Sequence, residues 1–340
     1  MVASLGSTAE GLNLLQILKK TSTSAALGLL AAMGFDSMLA KRIRKKCHIA
    51  VLNLHRVSPD DNPYYPPIHP QVFERFLAEI SKLLQIYSLQ DLKAGGISEG
   101  GIVLSFDDGY RDFLEFAVPI LSFFKIRTNQ NIVPQCVLSK KPIWNVTLYD
   151  HLNAASLSVI NELRVPGFSK RLNSSDKRSK LLFAASLSRF LKMRPRIERE
   201  PIWTHVEEWM LKVKPAKPTQ VLSLEEILGL LGSHDFGAHS FAHESMEFES
   251  KEFFEQDLRK CQDYFTRELG IPLLVYAFPN GSYRPEQLSV LESMSFDFIL
   301  LVEEKLATPS RRVLPRITFS PQNSAEARLF GTGLRNKGTL

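Results

Sequence analysis

The chain has 340 residues, enough for one large α/β domain with additions or for two ordinary domains, and its 44% hydrophobic and 23% charged content is that of a soluble globular protein. A net charge of +6, from 42 basic and 36 acidic residues, allows acidic or phosphate-bearing partners, but there is no tight Lys/Arg block with interleaved aromatics, which sets nucleic-acid binding aside. Three scattered cysteines, Cys47, Cys136 and Cys261, exclude a disulfide framework and a Cys-rich zinc site and read as buried free thiols of a reducing compartment.

Near the start, Lys19 and Lys20 precede an apolar run from Ala25 to Phe35 that is too short to span a bilayer. No cleavage-site pattern follows it, and Lys41, Arg42, Arg44, Lys45 and Lys46 come next. Residues 1–45 are therefore expected to form a helical segment packed on the domain or lying on an anionic membrane, in a cytoplasmic protein. Residues 49–54 read as a buried strand ending at His55. After a Pro-rich stretch, Phe73, Phe76, Leu77, Ile80, Leu83 and Leu84 fall at helical spacing. Residues 102–106 are a second apolar strand with Asp107-Asp108-Gly109 at its end, followed by a helix carrying Phe116, Ile120, Leu121 and Phe124 and a strand over 126–133.

The distance to the next clear strand far exceeds ordinary loops of about 4–6 residues, so residues about 140–220, rich in helix formers and basic groups, are expected to be a helical insertion. Residues 222–231 then read as a helix, 235–239 as a strand end, 251–269 as a helix stopped by Gly270 and Pro272, and 274–278 and 296–302 as strands. Strands alternating with helices, with polar residues gathered after the strand C-termini, predict a parallel α/β sheet or barrel whose site lies on that rim. His55, Asp107, Asp108, His239 and Pro279-Asn280 all occupy such ends.

His239 and His243 stand four residues apart, a spacing that on a helical turn presents both imidazoles to one divalent ion. Asp107-Asp108 alone is as compatible with a turn or helix cap as with a site. Two like charges beside an apolar strand repel, and a metal on one would relieve the strain while the other stays free as a base. A metal held by His, His and carboxylate leaves positions for water and a carbonyl oxygen, and amide hydrolysis then needs a base for the water and an acid for the amine. His55 is the candidate acid.

Leu104-Ser-Phe-Asp-Asp-Gly-Tyr-Arg-Asp112 together with His239-Ser-Phe-Ala-His243 resembles the polysaccharide deacetylase family, also called the NodB-homology domain or carbohydrate esterase family 4. Asn53-Leu-His-Arg-Val57, Tyr276-Ala-Phe-Pro-Asn-Gly281 and Leu314-Pro-Arg-Ile317 resemble segments of a bacterial branch of it. The resemblance implies a distorted (β/α) barrel over residues 46–325, with the insertion inside it and a tail over 326–340. It implies Asp107 as catalytic base, His55 as acid, and Asp108, His239 and His243 as ligands of a divalent metal, zinc first. Arg316 is read either as the group that orients Asp107 or, equally, as one side of an ordinary surface ion pair. Three departures stand out. Ser105 replaces the usual Thr, the usual Arg-x-Pro-Tyr arginine is missing at Phe278-Pro279, and Asn129, Gln130 and Asn131 occupy a normally apolar segment. Those amides are expected to satisfy buried backbone before substrate. Trp144 and Trp203 are expected to pack rather than to stack on a sugar, and His48, His69, His151, His205 and His234 to be structural or exposed.

The implied function is hydrolysis of an N-acetyl group from an amino sugar of a bacterial surface polysaccharide or its precursor, polymeric or lipid-linked. The alternatives are deformylation of a lipid-linked formamido sugar and a non-catalytic glycan-binding role.

Overall fold

Eight parallel strands dominate the computed structural model, which describes residues 25–60 and 62–338. They are β1 (Ile49–Leu54), β2 (Gln85–Tyr87), β3 (Gly101–Asp107), β4 (Asn129–Ile132), β5 (Asp235–Ala238), β6 (Val275–Ala277), β7 (Phe298–Val302) and β8 (Val313–Thr318). Pairing runs β1–β3–β4–β5–β6–β7–β8 and returns to β1, so seven strands close a barrel. The eighth, β2, pairs with the first half of β3, at Gly101–Val103, while β4 takes the second half from Ser105. One strand edge shared between two neighbours is the distortion of the expected barrel.

Side-chain alternation divides the strands into two faces. Ala50, Leu52 and Leu54, with Ile102, Leu104 and Phe106, join the layer of apolar residues under the helices. Val51, Val103, Val275, Phe298, Leu300 and Leu314 form a second apolar cluster inside the barrel, with Leu89 and Leu92 packed against it. Each fully buried side chain of this kind contributes about 1.5–3 kcal/mol by leaving water. Further along the same strands the inward residues turn polar, at Ser105, Asn129, Asn131 and Arg316, all essentially without solvent exposure.

Around the barrel run α1 (residues 25–32), α2 (Phe35–Lys45), α3 (Pro70–Ile80), α4 (Leu89–Ala94), α5 (Val118–Phe123), α6 (Pro134–Ser139), α11 (Leu224–Leu230), α12 (Lys251–Arg267), α13 (Pro285–Glu292) and α14 (Ser324–Gly331). A turn of π-helix, Phe113–Ala117, leads into α5. The insertion supplies α7 (Trp144–Ala154), α8 (Leu157–Glu162), α9 (Lys177–Lys192) and α10 (Arg196–Met210). It has its own apolar core, including Val146, Leu187 and Trp209, which meets the barrel through Tyr110, Val133 and Cys136.

The described part of the N-terminal segment packs on the domain. Asp36, Leu39, Ala40 and Ile43 of α2 are buried, and Arg328 binds Asp36 at 2.9 Å. Lys19 and Lys20 lie outside the described residues. Beyond residue 325 the chain continues in α14, which packs on α3 so closely that a Cβ at Gly331 would stand 2.4 Å from the Phe76 ring. Residues set apart by sequence as a tail are thus largely domain. All three cysteines are free, with Cys136 and Cys261 buried and Cys47 only partly so.

Gly237 on β5 faces an interior with no room for a side chain. A Cβ there would lie 2.5 Å from the Asn131 side-chain oxygen and 2.7 Å from the Val275 carbonyl. Gly237→Ala is expected to lower stability by about 1–3 kcal/mol, the usual cost of overpacking, measured as a fall in the denaturation midpoint. An unchanged midpoint would show that the strands yield without cost.

Candidate active site and metal centre

β3 delivers Asp107 to the barrel rim, and then the backbone turns sharply. Asp108 has φ 75° and Gly109 φ 71°, two successive left-handed residues. Asp tolerates that region better than bulky residues do, and glycine occupies it freely. The turn sends Asp107 inward and Asp108 across the mouth. On β5 the chain does the same after His239, with Ser240 at φ 57° and His243 at φ 60°. The His pair therefore sits on an irregular turn and not on the helix its spacing suggested. The turn is held from several sides. The His239 N–H donates to the Ile132 carbonyl at 2.8 Å, Gln135 N–H to Phe241 O at 2.9 Å, and Phe241 N–H to the Asp257 carboxylate at 2.9 Å. Non-glycine residues kept in this region cost energy that the surrounding structure must supply, and such residues gather at functional sites.

Arg316 is fully buried inside the barrel and grips Asp107 with both ends of its fork, at 2.8 Å to each carboxylate oxygen. It also donates to the Ser105 hydroxyl at 3.1 Å and the Leu301 carbonyl at 3.3 Å. Asn131 donates to Asp107 Oδ1 at 2.7 Å, to Ser105 Oγ at 3.2 Å and to the Phe106 carbonyl at 3.3 Å, while Ser105 donates to Asn129 at 2.9 Å. Asn131 thus meets backbone as expected, but its shortest bond orients Asp107. Gln130, one position along, is buried with no partner for either amide atom among the described residues, and nothing in the structure explains it. Burial pushes Asp107 up, yet Arg316 and His239 outweigh it and hold the carboxyl down at about 2. Asp108 is likewise held well below its usual range, burial being outweighed first by His243.

Three buried donors converge beside Asp107. The ligand atoms of Asp108, His239 and His243 all lie within 4.8 Å of one another. Asp108 Oδ1 is 3.3 Å from His243 Nε2 and 3.6 Å from His239 Nε2. Ligands about 2.0–2.2 Å from a tetrahedral ion stand about 3.3–3.6 Å apart, so the spacing fits. His239 Nδ1 lies 2.9 Å from the Ala277 carbonyl, a bond that fixes the ring and leaves Nε2 free to ligate. Asp108 Oδ1, buried and without a hydrogen bond among the described residues, is the orphan acceptor that a cation would satisfy.

His55 follows β1. Its ring meets Tyr65 edge-on at 5.9 Å, and its charge is among the influences that hold both Asp107 and Asp108 down. Arg56 anchors the segment through a buried ion pair to Asp112 at 2.7 Å, tying the His-Arg-Val strand end to the Asp-Asp-Gly motif. Tyr65 was not singled out from sequence. Its hydroxyl approaches Asp108 Oδ2 at 3.4 Å, from a Pro-rich loop that carries no periodic signal. Also missed was a buried pair between Arg199 of the insertion and Glu244, the residue after His243, at 2.5 and 2.8 Å. Trp144 and Trp203 pack edge-on at 5.3 Å, with Arg199 over Trp144, as the packing expectation had it. Of the unmatched histidines, His69 caps α3, and His234 is buried with Nδ1 3.1 Å from the Thr128 hydroxyl.

Comparison with known proteins agrees with this geometry. A model of the polysaccharide deacetylase family matches residues 227–299. Among solved structures, the chain is similar to the Streptococcus pyogenes deacetylase PplD in complex with acetate, at 15% identity and TM-score 0.54, covering 84% of this chain and 98% of that one. It is similar to IcaB from Ammonifex degensii, at 13% identity and TM-score 0.52, covering 84% and 97%. BC0361, a polysaccharide deacetylase from Bacillus cereus, aligns at 11% identity and TM-score 0.52, covering 84% and 69%. No curated protein sequence matches. Over residues 227–299 the chain is similar to the polysaccharide deacetylase family, and its fold is that of the solved deacetylases.

Replacing Arg316 by Met removes the one guanidinium that, among the described residues, grips Asp107. Leaving a buried charge unpaired costs about 3–5 kcal/mol. Because Asp107 is held below its usual 3.8, its contribution to stability is complete above that pH and fades as pH falls toward 2. In the variant burial still pushes Asp107 up and only the weaker pull of the histidines opposes it, so the acid limb of the pH–rate profile should move to higher pH. An unmoved limb would exclude Arg316 as the group that sets the ionisation of Asp107.

Proposed function

We propose that this protein hydrolyses the N-acetyl group of an amino sugar belonging to a surface polysaccharide or its precursor. The observation that carries the reading is a carboxylate held ionised by Arg316 and Asn131 at the edge of a buried Asp/His/His triad.

Asp108, His239 and His243 would hold a divalent metal, zinc by its donor set, which when bound polarises the acyl carbonyl and makes water a better nucleophile. The remaining work falls to the chain's own residues. Asp107 Oδ1 is occupied by Arg316 and Asn131, whereas Oδ2 accepts from Arg316 alone and lies 3.7 Å from His239 Nε2. Oδ2 therefore takes the proton of the attacking water. His55, on the neighbouring strand end, delivers a proton to the departing sugar nitrogen, since an amine anion is a very poor leaving group. Tyr65 lies between them, its ring against His55 and its hydroxyl toward Asp108.

A formyl group would be cleaved by the same groups, and only the released acid distinguishes it. The exposed Leu29, Met33 and Met38 supply a surface for a cytoplasmic protein resting on a membrane. They belong to a segment that leads into the start of β1, at the barrel end opposite the rim.

The test is metal content together with acetate and formate release from N-acetylglucosamine oligomers and from lipid-linked acylated sugars. Asp108→Ala is expected to lose the metal. Asp107→Asn should keep the metal and lose about 10²–10⁴-fold in turnover, the range of general acid–base catalysis. Turnover retained in Asp107→Asn would remove Asp107 from the role of base, and absence of any released acid would remove the deacylase reading.

A further inference from the structure

The insertion sends one cation to the rim. Lys192, the last residue of α9, donates to the side-chain oxygen of Asn280 at 2.8 Å. Asn280 sits in the Pro-Asn-Gly turn after β6, with φ 58°, and its amide nitrogen donates to Ser245 Oγ at 3.0 Å. Ser245 is two residues past His243. A chain of side chains thus connects the insertion, the end of β6 and the metal-ligand turn.

The charge balance at this place is incomplete. Among the described residues Lys192 makes that one hydrogen bond and no ion pair, whereas Arg199 and Arg196 nearby in sequence each bind a glutamate. Two of the three ammonium donors are left for a ligand. Asp107 is answered by Arg316, and in the reading above Asp108 is answered by the metal. The side chain is only partly exposed, and burial lowers its pKa while the charge of Asp108 acts in the opposite direction, which places the ammonium within electrostatic reach of the metal-ligand group. A partly desolvated ammonium without a counter-charge is costly unless something brings one.

We propose that Lys192 binds an anionic group, phosphate or carboxylate, carried by the acylated sugar beside the amide that is cleaved, and so selects charged substrates over neutral ones. The inference rests on the deacylase reading for the identity of the site, and the barrel alone would not provide it, because the residue belongs to the insertion.

Equilibrium binding in an Asp107→Asn background, where ligands are not consumed, tests it. The ligands are N-acetylglucosamine 1-phosphate, an N-acetylated amino-sugar uronic acid, and the neutral methyl glycoside of N-acetylglucosamine. At least one anionic ligand should bind about tenfold or more tighter than the neutral one, the scale of a charge-assisted hydrogen bond. Which one does so identifies the source of the charge. Adding Lys192→Met should abolish the preference while changing neutral binding less than about twofold, and Lys192→Arg should retain it. An absent preference in the Lys192 protein, or equal weakening of all ligands by Lys192→Met, would overturn the proposal. Acid release by the Asp107 enzyme is read separately. Preference without release would sink the deacylase reading and leave the anion site standing, while release without preference would do the reverse.

Discussion

The buried grip of Arg316 on Asp107 organises this molecule. A carboxylate cannot be placed inside a barrel above an apolar cluster without a counter-charge, because desolvation would keep it protonated. Arg316 supplies that charge from β8, and Ser105, Asn129 and Asn131 fill the remaining bonding positions from β3 and β4. The lower interior must then be dry and well packed, which Val51, Val103, Phe298 and Leu300 accomplish. The narrow bore at Gly237 follows from the same demand, since the Asn131 amide needs the volume that any side chain there would take. The polar layer is thus the support of the catalytic rim and also the main constraint on which residues the strands accept.

The convergence of Asp108, His239 and His243 depends on a second constraint, backbone conformation. Asp108 and His243 both sit in the left-handed region, each at a turn leaving a parallel strand. That conformation turns each side chain across the mouth instead of along the strand. Hydrogen bonds donated to Ile132 and Asp257 and received from Gln135, with the ring bond to Ala277, hold the turn that carries the histidines. The site is therefore largely set by the protein before any ion arrives.

Much of this was legible in the sequence, for definite reasons. Buried parallel strands read as continuous apolar runs, and β1 and β3 end abruptly at His55 and Asp107, so the rim could be located before the sheet was seen. Paired motifs pointed to Asp108, His239 and His243, which the structure brings together, and Arg316 was picked out by its Leu-Pro-Arg-Ile setting. The strand containing it was not, because Val313 and Pro315 interrupt any simple pattern with partly exposed residues. β2 is three residues long, too short for periodicity to register. The histidine spacing pointed to a helix because four-residue separation has the same meaning on an irregular turn only when the backbone is known. Tyr65 and the Arg199–Glu244 pair join residues 43 and 45 positions apart, and nothing local marks either.

That last pair bears on how such a protein changes over evolution. The insertion has a separate apolar core and looks like a detachable module. Yet its Arg199 neutralises Glu244, next door to His243, and both side chains are almost wholly buried. Removing or exchanging the insertion would strand a carboxylate beneath the histidine turn. The module and the residue after the second histidine are therefore bound to be inherited together, and a relative lacking one should be found to lack the other.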